Sequence, residues 1–362
     1  MRARRDQQEQ EGGDGSVNFQ AGGDIVLSSS TREEIRDTVL AVFHENFMDL
    51  RGIAEEIAIG RAEKITNDFL AKLEIEAPEK VSNFREPDMQ RAMYTAQREY
   101  ACSGEEDLGE VLVDLLVDRV KEDGRSLRTL ALNEAINAAP KLTDSQRQAV
   151  AVAFLMKYTG YGGPVGLEGY FDGYIRSNVA PLIEGLPTRD IDYQHIEYVG
   201  AGTVSMGAVA FADVIREGAE GFFTRGFLRE ELPEWLSHPQ QGLRQLLCMP
   251  CLRDESRLQL SLAGKYSIDR ALEGLEEVRG QMGGFLVVPP RDVLVSQLEV
   301  GLMTGEEVVA DLIERVPEMA TLQKSWETTA LKNMTLTSVG IALGYAYWRR
   351  TTGGAADLGI WL

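Results

Sequence analysis

The sequence predicts a mainly α protein with a minor β component (α+β): a long N-terminal helix, an antiparallel helical bundle and a C-terminal mixed, winged-helix-like region. Three observations predict it. Apolar residues recur with helical 3,4 spacing from Leu40 onward. Two capping boxes, Thr31 to Glu34 and Thr143 to Gln146, punctuate helical runs that are joined by short loops. Beyond residue 188, several β-like stretches each lead into a helical one.

Residues 1–30 read as a flexible, β-prone arm. The first fifteen are polar and Gly-rich, a composition that cannot build a core. Val17–Gln20 and Ile25–Leu27 are short strand-like words, separated by the turn chemistry of Gly22-Gly23-Asp24. Residues 31–77 read as one long amphipathic helix. Thr31 caps its start, and no Pro occurs before Pro78. Leu40, Phe43, Phe47, Leu50, Ala54 and Ile57 form an a/d-like seam. At 1.5 Å per residue, a helix over 32–74 would be about 65 Å long. It cannot bury that seam on itself, so it needs the rest of the chain or a second copy.

A linker follows, and residues 84–187 read as the bundle. Pro87 suits a first helical position. Helices are expected near 87–100, 106–122, 126–138 and 144–158, with one more between 167 and the break at Pro187. Residues 188–362 read as a mixed α+β domain. "HIEYVGAGTVSMGAVAFADVIREG", "RLQLSLAGKYSIDRALEGL" and "MTLTSVGIALGYAYWRR" each look like a strand or turn entering a helix. No fixed-period repeat is present, which excludes a solenoid.

Composition narrows the function classes. With 57 acidic against 37 basic residues, the net charge is −20 and repels phosphate backbones, so nucleic acid is a disfavoured partner. Three cysteines do not make a disulfide framework and suit a reducing cytosol. No apolar run approaches the roughly 20 residues of a membrane-spanning helix. The basic start "MRARR" is not followed by a signal-peptide core. The expectation is a cytoplasmic protein without a membrane span.

Candidate chemistry is sparse. Gly200-x-Gly202 follows a β-like Ile196–Val199, as in a dinucleotide-binding turn, but the third fingerprint position is Ser205 and no βαβ alternation follows. Cys248-x-x-Cys251 needs a preceding strand and a helix N-terminus under the first thiol to be reactive; "GLRQLL" before it looks helical. A zinc site would need two more ligands, and only Cys102 and His238 are at hand. His44 and His195 are isolated, the latter between Tyr193 and Tyr198. The acidic pairs Asp190/Asp192, Glu105/Glu106 and Glu230/Glu231 read as turn or helix-start charges. "MTLTSVGIALGYAYW" is similar in pattern to the wing strand and following helix of winged-helix domains. Thr335 and Thr337 alternate there and Gly340 serves the turn. Such domains bind DNA or proteins, and the net charge favours protein.

The blocks "VNFQAGGDIVLSSSTREEIRDTVLAVFHENF", "LVDLLVDRVKED", "LNEAINAAPKLT", "YQHIEYVGAGTVSMG" and "LTSVGIALGYAYWRR" look like an uncharacterised family of bacterial proteins. The resemblance runs from about residue 17 to the C-terminus. The loop 160–166 and the tail 353–359 depart from it. Arms resembling Asn18–Ile25 recur at the N-termini of other bacterial proteins, including some linked to conflict and phage-defence systems. The resemblance implies a bacterial cytoplasmic protein of defence type and carries over no catalytic residue.

These readings converge on a non-enzymatic, self-associating signalling or scaffold protein. Phe19, Ile25 and Val26 of the arm suit intermolecular β-pairing. Leu40, Phe43, Phe47, Leu50 and Ile57 supply the helical seam. The expected partners are a second copy and another protein, with no cofactor and no metal. Two alternatives stand beside it: a regulator touching nucleic acid through the winged-helix-like region, and a nucleotide- or redox-dependent enzyme using Gly200–Ser205 or Cys248/Cys251.

Overall fold

The computed structural model describes residues 29–46, 52–160, 168–219, 221–237, 247–260, 265–281, 286–354 and 356–362. In chain order the helices are α1 (Ser29–Asn46), α2 (Ile53–Glu76), α3 (Pro87–Ser103), α4 (Glu106–Lys121), α5 (Leu127–Ala138), α6 (Asp144–Tyr158), α7 (Glu168–Tyr174), α8 (Asp190–Val199) and α9 (Phe211–Gly218). They continue with α10 (Glu234–Ser237), α11 (Lys265–Gln281), α12 (Arg291–Gly301), α13 (Gly305–Arg315), α14 (Met319–Thr328) and α15 (Ser338–Thr352). Short strands β1 (Gly202–Val204), β2 (Cys248–Pro250), β3 (Leu258–Leu260) and β4 (Met334–Leu336) make two two-stranded sheets among the described residues, β1–β4 and β2–β3. The protein is therefore mainly helical with a small β component, as its sequence predicts.

The expected single helix over 32–74 is two helices. Gly52 caps α2 at φ 67, a left-handed backbone value that no helix can run through and that glycine adopts without Cβ strain. Arg32 at the start of α1 bonds Glu74 at the end of α2 (3.1 Å), and Arg36 lies 3.8 Å from Glu63, so the two helices run antiparallel. The start also differs: α1 begins at Ser29, two residues before the expected Thr31 cap. The second capping box forms as read. Gln146 N donates to Thr143 Oγ1 (3.3 Å) and Thr143 N donates to Gln146 Oε1 (3.1 Å).

The chain divides into two units. One comprises residues through Val150, His195–Thr203 and Leu336–Leu362; the other comprises Ala151–Gln194 and Val204–Thr335. The expected bounds were 84–187 and 188–362; here the C-terminal helix groups with the first unit. In that unit α4 is the central element, buried on almost every face from Leu108 to Val120. Helices α2, α3, α5 and α15 pack around it.

In the second unit, the helix expected over 167–187 is only α7. It passes into a π turn, Ile175–Val179, and a 3-10 turn, Ala180–Leu182. Phe171 packs at a tilt on Phe222 (4.9 Å between ring centres) and meets Phe223 edge-on (5.7 Å). A further core gathers Phe227, Leu236, Leu247, Leu260, Ile268 and Leu294. Strands β2 and β3 pair antiparallel, with Cys248 opposite Leu260.

Candidate interaction surfaces

The first two residues of the predicted helical seam are spent inside their own unit. Leu40 and Phe43 are buried, and Phe43 packs against Ala58, Ala62 and Ala101, whose small side chains let the helices approach closely. Both residues, expected in the association seam, are core residues of this chain. The 3,4 spacing was read rightly as an apolar face, but α2 and α3 of the same chain cover it. Ile57 is different: it is 49% exposed, and Ile53, one turn earlier, is 77% exposed. Both sit at the head of α2, next in sequence to Phe47 and Leu50. Phe47, Leu50, Phe19, Ile25 and Val26 lie outside the described residues.

The Gly200–Ser205 stretch does not build a nucleotide site of the expected kind. Ile196–Val199 is not a strand but the last turn of α8, so the strand that should precede a phosphate-binding turn is missing from that place. Ser205 to Ala210 instead form a loop in which all six residues are exposed, Met206 fully. Its backbone is tied down. Ser205 N donates to Asn333 O (3.1 Å) and Val209 N to Lys332 O (3.2 Å). Asn333 Nδ2 donates to Gly207 O (3.1 Å), and Trp326 Nε1 to Val209 O (2.9 Å). Sequence reasoning missed Asn333 and Trp326, whose partners lie more than 110 residues away. The one available signal was that residues 199–212 carry no charge in a chain of net −20.

The C-terminal helix commits its cations internally. Arg349 reaches Asp118 (3.1 Å), Asp114 (3.2 Å) and Glu76 (3.6 Å). Lys121 adds bonds to Glu76 (2.8 Å) and Asp118 (3.2 Å), and Lys72 pairs with Asp114. Burial pushes the Asp118 carboxyl up. Burial opposes the Arg349 charge too, but Asp118 and Asp114 outweigh it and raise its pKa. Arg350 pairs with Asp107 and Glu110 on α4. Thr337, expected on the strand, is the N-cap of α15, accepting from Gly340 N (3.2 Å).

The remaining candidates are structural in their surroundings. His195 Nδ1 lies 3.1 Å from Gln146 Oε1, and its ring stacks on Tyr198. His44 is exposed on α1, and His238 lies outside the described residues. Cys248 sits in β2; Cys251 is buried, its Sγ 3.8 Å from Thr224 O. Among the described residues, no three His, Cys, Asp or Glu side chains gather as metal ligands, and no helix is long and apolar enough to cross a membrane. A polar cleft of about 470 Å³ lies beside Asn83, Asp88, Arg119 and Arg125. Arg119 at this cleft is held by Asp88 and Asn133.

A family model described as ":-like" matches residues 30–362. The chain belongs to this uncharacterised family. The match spans α1 to the C-terminus and leaves the arm outside it. No curated protein and no solved structure matches the chain.

Proposed function

We propose that this family member is a non-enzymatic, self-associating scaffold protein of the bacterial cytoplasm, acting in antiviral defence. The observation that carries the association is the exposure of Ile53 and Ile57 one turn apart on α2. In the sequence they follow Phe47 and Leu50, the other apolar residues of the predicted seam. The arm adds Phe19, Ile25 and Val26, whose strand-like words satisfy their backbone groups on another sheet edge or another chain. The defence role rests on the arm's resemblance alone.

A protein contact is also the better reading of the winged-helix-like region. The order β4 then α15 supports a strand entering a helix. Nucleic-acid binding draws on basic side chains, whereas Arg349 and Arg350 are already paired with carboxylates. Sedimentation of the full chain over a concentration series tests the proposal. The expected result is an oligomer that weakens in an Ile53→Asp, Ile57→Asp variant. A wild type that stays monomeric at high micromolar concentration overturns it, and a salt-dependent DNA shift at low protein concentration would favour the regulator reading instead.

A further inference from the structure

The exposed loop Ser205–Ala210 hangs on a strip of backbone that a single cation organises. Lys157 closes the apolar helix α6, and its Nζ donates to Leu331 O (3.0 Å), Lys332 O (3.0 Å) and Met334 O (2.6 Å). An ammonium has three N–H donors and no acceptor, so three donors meet three acceptors. The ring of Trp326 covers the cation at 4.9 Å. The same strip carries the loop. Lys332 O accepts both Lys157 Nζ and Val209 N, while Asn333 O accepts Ser205 N and Ser205 Oγ. Trp326 touches the cation with its face and the loop with its indole N–H.

We propose that Lys157 is a conformational clamp: its ammonium sets the path of residues 331–334 and thereby holds the loop Ser205–Ala210, with Met206 at its crest, in one shape. Without the three donors, three backbone carbonyls lose a partner together, and the strip relaxes to find others. The loop then loses the two amide bonds, at Ser205 and Val209, that anchor it at both ends. The surface would persist in composition but not in form. This inference stands apart from the self-association reading, because it concerns the order of the loop and not what binds it.

Hydrogen exchange of the full chain tests it. Lys157→Met keeps the length and apolar stem and removes every donor; Lys157→Gln retains two N–H donors without the charge. Peptides covering 203–212 are followed, with peptides from α4 and α15 as internal references. The expected result is exchange at Ser205 and Val209 faster by about tenfold or more in Lys157→Met, a smaller gain in Lys157→Gln, and unchanged reference peptides. Folded variants in which the loop stays as protected as in wild type overturn the clamp. Should Lys157→Met fail to fold, Lys157→Gln decides by the same comparison. Loss of the reference protection in both variants also overturns it, since Lys157 would then support the fold at large and not the loop.

Discussion

The carbonyl oxygen of Ala201 occupies the space that a side chain on Gly340 would need. The same oxygen accepts Thr337 N (3.2 Å), and Thr337 Oγ1 donates to Gly200 O (2.6 Å). The first turn of α15 is thus pressed onto the backbone that follows α8, with no room for a methyl group. Gly340 was read as a turn residue, but its reason is close approach inside a helix.

Gly340→Ala should therefore destabilise the protein by about 1–3 kcal/mol, the usual cost of overpacking, despite alanine's better helix propensity. Urea unfolding measures it. A variant as stable as wild type would show that the contact relaxes freely.

Arg349 and Arg350 should behave as opposites. Arg349 and its partners Asp114 and Asp118 are largely out of water, so Arg349→Met leaves the two carboxylates with only Lys72 and Lys121, at a cost of about 3 kcal/mol. Asp107 and Glu110, the partners of Arg350, are 57% and 60% exposed. Arg350→Met should cost about 1 kcal/mol or less. Equal losses for the two variants would contradict this assignment.

Glu307 supplies a pH dependence of definite sign. The Arg225 guanidinium, with the backbone and side chain of Thr304, holds its carboxyl down at about 2 against an ordinary 4.5. A depressed carboxylate contributes stability that is present above 4.5 and is lost as pH falls toward 2. Wild type should exceed Glu307→Gln in melting temperature at neutral pH, and the gap should close across that acid window. A gap that stays constant through the titration would rule out the linkage.

Phe43 and the Ile53/Ile57 pair separate folding from association. Phe43→Ala removes a buried ring beside Ala58, Ala62 and Ala101 and should cost about 3–5 kcal/mol. It should leave particle size unchanged wherever the protein remains folded. Ile53→Asp with Ile57→Asp alters exposed positions, so stability should stay within about 1 kcal/mol while association weakens. Calorimetry and light scattering on the same samples distinguish the two.

Much of the helical order was legible because it is written in local chemistry. Pro87 begins α3, and Thr143 with Gln146 closes the start of α6. Each signal acts within one turn, by a fixed φ or by hydrogen bonds between residues three apart, so no tertiary knowledge is needed to see it. The apolar face of Leu40 and Phe43 was legible for the same reason. What covers that face was not. Periodicity says that a side is apolar, while the choice between a second copy and α2 with α3 depends on where the chain turns. Gly52, just before α2, has a backbone no helix can run through, yet the 3,4 spacing runs on past it undisturbed. Ile196–Val199 is β-branched and aromatic yet helical, because tertiary packing outweighs propensities worth only tenths of a kcal/mol. Lys157, Asn333 and Arg349 gained their roles from partners 126–273 residues away. Sequence alone determined the segments and their polarity. Only the tertiary structure decided which buried charge meets which, because such pairing is set by the path of the backbone through space and leaves no periodic trace along the chain.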